Sequence, residues 1–228
     1  MPPAQHADVV CALEEVLAVS HRPHDPQRPV VCLDASSQQR VKETRTPLPA
    51  AAGRLATTDY ESERNGTAHW FMMCAPLGGQ RRVVGTERRT ALDDAHAVQH
   101  LVDESYPHAE KIVLGQDHLN THTPAALYEA FPPEEARRLL EKLAVYYTPK
   151  HGRWLNMAET ALGLLSRQCL DRRLPDRATL TAEVAAWERD RNVAQCRVDW
   201  QLTTTEARGK LKRLYPVLQP VSSGVLDH

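Results

Sequence analysis

The amino-acid sequence predicts a mixed α/β fold: a five-stranded sheet whose antiparallel three-stranded part is extended by parallel strands and flanked by helices. Three observations carry this reading. The runs VVCLDA and IVLG are short and almost wholly apolar, as in strands covered on both faces. Gly78-Gly79 separates two strand-like runs, HWFMMCAPL and QRRVVGTE, as the turn of a hairpin. Beyond the hairpin, helical periodicity alternates with two further strand-like runs, and right-handed crossovers turn that order into a sheet with helices on its faces.

Taken in order, residues 4–19 place Val9, Leu13, Val16 and Leu17 on one helical face, and the connector HRPHDPQRP follows, its three prolines incompatible with helix. PVVCLDA is the first strand and ends on Asp34; residues 44–67, rich in Pro, Gly, Thr and charge, form a long insertion before the hairpin. A helix from Thr90 to Ser105 buries Leu92, Ala95, Val98 and Leu101 or Val102, with Asp93 and Asp94 early, where the dipole favours anions. The strand KIVLGQD, one or two helices through 124–142 and the strand AVYYTP come next. From Trp154, apolar residues at Ala158, Ala161, Leu162, Leu165 and Cys169 mark a strong helix; a further helix, capped by Asp176, reaches about Asn192. VDWQLT reads as an edge strand, and Thr203 with Glu206 as the capping box of a last helix. This organisation divides the chain into an N-terminal helix and linker (1–28), a central domain (29–195) and a C-terminal extension (196–228).

Composition narrows the function classes. In 228 residues, 42% hydrophobic and 25% charged, there is material for a real core, and a net charge of -1 excludes a chain-wide basic field, so any nucleic-acid contact is a local patch. Five scattered cysteines without a CxxC pair suit reduced thiols in a cytoplasm. No segment has the length and apolarity of a membrane span, and no signal-peptide pattern opens the chain. Neither a GxSxG elbow nor a phosphate-binding loop ending in Lys-Ser/Thr occurs.

Asp34 and Asp117 sit at the carboxyl ends of strands that this topology makes central, parallel neighbours, where open α/β sheets place their sites. A helix packed beside them can bring Glu159 across. Clustered carboxylates need a cation, and hard divalent ions such as two Mg²⁺ or Mn²⁺, held on oxygen ligands, suit phosphodiester chemistry. The plainer readings are that Asp34 caps a turn and that Asn156 and Glu159 form a capping box. His118 and His122, four apart, raise a zinc-module alternative, although no third soft ligand has matching spacing. His118, Asn120, His122, Lys150, His151 and Asn156 are candidates to contact DNA phosphates; for Lys150 and His151 a solvated turn is the competing reading. Arg208, Lys210, Lys212 and Arg213 read as a DNA-gripping run or a solvated helix end.

VVCLDASSQQ, RTPLPAAAGR with DYESERNGTAHWFM, YPHAEKIVLGQDHLNTHTPAALYEAFPPEEARRL and YYTPKHGRWLNMAE together resemble the catalytic domain of mariner-like bacterial insertion-sequence transposases, over about residues 3–216. The resemblance implies a ribonuclease-H-like fold, an Asp-Asp-Glu triad on Asp34, Asp117 and Glu159, and a magnesium- or manganese-dependent DNA cleavage followed by strand transfer. It also implies double-stranded DNA as partner, a homodimer on paired transposon ends, and a cytoplasmic, nucleoid-associated bacterial protein. The chain departs from the pattern at Ala35, where relatives carry an acidic residue, and at His118, where they carry Asn. The helix-turn-helix region of relatives is missing ahead of residue 1, which implies either a separate helix-turn-helix polypeptide or a catalytically weak remnant that binds DNA or a partner subunit without cutting.

Overall fold

In the computed structural model, which describes residues 3–43, 62–117, 122–149, 152–172, 176–198 and 200–216, five strands make one sheet. They are β1 (Val30–Glu43), β2 (Ser62–Ala75), β3 (Gln80–Thr86), β4 (Ile112–Gln116) and β5 (Leu143–Tyr147). Their order is β3-β2-β1-β4-β5. β1, β2 and β3 pair antiparallel, whereas β4 and β5 run parallel to β1. The helices are α1 (Pro3–Ser20), α2 (Ala91–His100), α3 (Ala125–Ala130), α4 (Pro133–Glu141), α5 (Met157–Leu165), α6 (Arg177–Val193) and α7 (Thr204–Lys210).

The two-residue period of a strand sorts β1 between two cores. Val31, Leu33 and Ala35 join Phe71 and Met73 beneath α2, α3 and α4. Cys32 joins Trp70, Met72 and Cys74 beneath α5 and α6. Asp34 shares the parity of Cys32, so its Cβ lies on the α5 face. All five cysteines are unpaired, and burial pushes the Cys32 thiol up to about 12, where it packs as a small apolar group.

Asp34 does not end its strand. Parallel pairing between β1 and β4 stops at Cys32 and Gly115, but antiparallel pairing with β2 carries β1 on to Glu43. β4 is short, so beyond Cys32 one edge of β1 has lost its parallel neighbour, and Asp34 stands at that opening. The expected insertion also begins and ends differently: residues 62–67 already belong to β2, and 44–61 lie outside the described residues.

Several local expectations shift for packing reasons. α2 is capped by Thr90 in a capping box with Asp93, yet Leu92 is 46% exposed and Asp94 takes a buried place instead. α5 starts at Met157 after a 3₁₀ turn at Arg153–Leu155, which leaves Trp154 exposed and stacked on Trp200 at 6.3 Å between ring centres. The described residues of VDWQLT form no strand; Val198 N–H bonds Pro76 O at 2.9 Å. The edge of β3 is occupied by α6 side chains: Asn192 exchanges two 2.8 Å hydrogen bonds with the Arg81 backbone, and Glu188 accepts from Val83 N–H at 2.7 Å. Capping an edge in this way removes a template for strand addition.

α1 seats Leu13, Val16 and Leu17 against Leu155 and Ala207, so the two ends of the described chain share a small core. Arg208 binds Glu14 through two hydrogen bonds of 2.8 and 2.7 Å, and Lys210 lies 3.3 Å from Glu206. Two members of the C-terminal basic run therefore serve local pairing.

The β2–β3 turn depends on Gly79. Its φ is +73°, its N–H closes the turn on Ala75 O at 2.8 Å, and an added Cβ would meet the Gln195 backbone at 2.8 Å. Gly79→Ala meets both a left-handed backbone and a clash that no side-chain rotation relieves. It should destabilise the protein by about 2 kcal/mol or more, read as a lowered urea midpoint, whereas Gly163→Ala, with open space around it, should not.

Candidate metal centre

The topology brings Asp34 and Asp117 together. β1 delivers the first where its parallel pairing ends, and β4 delivers the second one residue past its last paired position. Both are buried, at 1% and 3% exposure. Asp34 Oδ1 accepts the Ala35 N–H at 2.7 Å. Arg89, which the sequence did not single out, donates to Ala35 O at 3.1 Å and brings a guanidinium to this point of β1.

His122 completes the cluster. One donor atom each from Asp34, Asp117 and His122 lies within 4.8 Å of the others. The imidazole is wholly buried: Nδ1 lies 2.7 Å from Asp94 Oδ1, and Nε2 lies 3.4 Å from Asp117 Oδ1. Tyr147 holds the same residue by donating its hydroxyl to His122 O at 3.0 Å. Burial alone would lower the imidazole pKa, but the hydrogen bond to Asp94 and the charges of Asp94, Asp117 and Asp34 outweigh it and raise it. The Asp94 carboxyl is itself pushed up by burial, which His122 only partly offsets.

His122 was expected to touch phosphate; in the structure its ring faces carboxylates inside the protein. Asn156 departs from the same expectation. It is 2% exposed, donates to Leu33 O at 3.0 Å and caps α5 by accepting Ala158 N–H at 3.1 Å. These bonds, with Met157 and Ala158 packed in one cluster with Cys32, dock the first turn of α5 beside Asp34. Glu159 is the next residue on that turn. It is exposed and stands outside the group formed by Asp34, Asp117 and His122. The reciprocal bond of a capping box, present in α2 and α7, is not what Glu159 makes. His118, Asn120, Lys150 and His151, and with His118 the zinc pair, lie outside the described residues.

The residue that sequence reasoning missed is Asp94. A usable signal existed: it precedes Val98 by four and Leu101 by seven, on the buried stripe of α2.

Two buried carboxylates side by side, with an imidazole nitrogen beside them, make a donor set that fits a divalent cation. The sheet order, parallel and antiparallel pairing and flanking helices give a ribonuclease-H-like fold. Residues 29–181 match the DDE superfamily endonuclease family, and the chain belongs to that family.

Among solved structures, the fold is similar to the Mos1 mariner paired end complex with Mn, at a TM-score of 0.57 and 13% identity, covering 94% of this chain and 62% of that one. The Mos1 strand transfer complex matches at a TM-score of 0.45 and 12% identity, over 88% of this chain and 64% of that one. The catalytic core domain of BIV integrase matches at 0.38 and 11%, over 81% and 95%. This chain thus spans less than two thirds of the Mos1 chains. No curated protein matches the sequence. Among the described residues, no helix is long and apolar enough to cross a membrane.

The Asp94–His122 contact has a measurable signature. With divalent ions removed by EDTA, Asp94→Asn should cost roughly 1–3 kcal/mol of stability. The raised imidazole pKa in the fold means that the stabilisation is fully present just below the ordinary histidine value of about 6.5 and is lost as pH rises through the folded value. Urea midpoints of wild type and variant should therefore differ most near about pH 6 and converge toward about pH 9.

Proposed function

We propose that this chain is the catalytic part of an insertion-sequence transposase, cutting DNA at transposon ends and joining the freed 3′-hydroxyl to target DNA. The observation that carries the reading is the pair of buried carboxylates, Asp34 and Asp117, meeting where β4 leaves β1, in a chain of the DDE endonuclease family. Glu159 is the proposed third member: its helix turn is docked onto Cys32 and Leu33, and its exposed carboxylate completes the set from the solvent side, where a duplex can approach. In this reading Asp34, Asp117 and Glu159 hold two Mg²⁺ or Mn²⁺ ions. When bound, such ions acidify water and neutralise charge on the scissile phosphate.

The chain's own residues supply the rest. β1 and β4 fix the two aspartates on rigid strands, and burial deprives the carboxylates of bulk water, so their attraction for a cation is little screened. Asn156 sets the height of the α5 turn and thereby of Glu159. The proposed partners are double-stranded DNA, a second copy of the chain on paired ends, and a helix-turn-helix polypeptide that recognises the ends. The proposed setting is the bacterial cytoplasm.

A remnant that binds DNA or a partner without cutting is the competing reading, favoured by Ala35, which leaves only one acidic residue at this point of β1. Incubation with supercoiled DNA and Mn²⁺ decides between them. Nicking or strand transfer by the wild type, reduced by roughly 100-fold or more in Asp34→Asn and in Asp117→Asn, about 3 kcal/mol of barrier, supports the transposase. No cleavage by a folded wild type, even with a recognition polypeptide added, leaves the remnant. Glu159→Gln should suppress cleavage while leaving the urea midpoint within about 0.5 kcal/mol of wild type, as for an exposed residue.

A further inference from the structure

His122 presents a nitrogen to the two aspartates that the triad does not use. Its side chain is wholly buried, and its Nε2 makes no hydrogen bond. Leaving such an atom unsatisfied is costly, so its surroundings call for a partner. The 2.7 Å contact with Asp94 engages Nδ1, whose hydrogen a carboxylate accepts, and leaves Nε2, facing Asp117, as the nitrogen open to a metal ion. One donor atom each from Asp34, Asp117 and His122 lies within 4.8 Å of the others, a spacing that a single cation can span.

In the metal-free protein a proton can take Nε2, but its bond to Asp117 is long. A charge-assisted N–H···O bond closes to about 2.7–2.9 Å, whereas Nε2 and Asp117 Oδ1 stand 3.4 Å apart. A metal fits better, since two donors on one ion with bonds of about 2.1 Å lie roughly 3.0 to 3.4 Å apart. The outer contact fits as well, because metal-binding histidines regularly donate their other ring N–H to a carboxylate that orients the ring.

We propose that His122 Nε2 is a direct ligand of the ion shared by Asp34 and Asp117, that Asp94 orients it, and that the resulting nitrogen–oxygen site favours Mn²⁺ over Mg²⁺. This rests on reading Asp34 and Asp117 as metal ligands. An imidazole ligand shifts preference toward transition-metal ions, because Mg²⁺ is the harder ion and keeps to oxygen.

The test uses the full chain, stripped of metal and titrated with Mn²⁺ without DNA, followed by pulsed electron paramagnetic resonance. The expected spectrum shows ¹⁴N coupling that converts to ¹⁵N coupling when histidine alone is ¹⁵N-labelled, a readout that needs no substitution. His122→Asn should abolish the coupling and narrow the Mn²⁺ over Mg²⁺ preference by roughly 10-fold or more. Asp94→Asn should keep the coupling and weaken Mn²⁺ binding by roughly 10- to 100-fold. Mn²⁺ bound in a manner that requires Asp34 and Asp117 but shows no nitrogen coupling, or bound more tightly once His122 is replaced, overturns the inference and leaves the proposed function standing. Failure of the wild type to bind Mn²⁺ at all overturns both.

Discussion

The structure turns on the meeting of two buried carboxylates at one point of a sheet. Asp34 and Asp117 lie 83 positions apart in the chain and come together because β4 crosses back to lie parallel beside β1, then stops short of it. Burying two anions in a medium of low dielectric is costly unless positive charge joins them. Much of the neighbourhood makes sense as provision for that charge. His122, clamped by Asp94, turns a ring nitrogen toward the pair, and Arg89 reaches the Ala35 carbonyl beside it.

The two faces of the sheet divide the burden. On the α2 face, an apolar core of Leu33, Phe71, Leu101, Leu114 and Leu139 holds the strands in register and takes in the buried pair Asp94 and His122. On the α5 face, Cys32, Met72 and Leu165 seat the helix that carries Glu159, and Asn156 ties its first turn to Leu33 O. The aspartates are thus set by strand pairing, while the glutamate is set by how one helix docks. Rigid strands fix the two aspartates, and the glutamate faces solvent. Under the proposed function that asymmetry suits a polyanionic substrate approaching from outside, because the buried pair is organised in advance.

How much of this was legible in the residues varied with the range of the interaction. The strand runs, the Gly78-Gly79 turn, the Asp176 cap and the Thr203–Glu206 capping box are local, and they stand where the sequence places them. Asp34 was expected at a strand end and is found mid-strand, because β1 outruns its parallel partner, which no residue within β1 records. VDWQLT has strand-like composition but bonds through Val198 to Pro76 in an irregular connection. Asn156 and His122, expected at a phosphate, turn inward, since polar side chains at buried positions satisfy neighbouring backbone and carboxylates first.

The sequence by itself determined the fold class, the identity of two carboxylates at neighbouring strand positions and the helix that follows them with a glutamate, because apolar periodicity and capping chemistry act over a few residues. Only the tertiary structure decided that Asp94 of α2 lies behind His122, that His122 joins the aspartates, and that Glu159 stays exposed. Those outcomes depend on which helix packs on which face and at what height, and such relations arise between segments far apart in the chain.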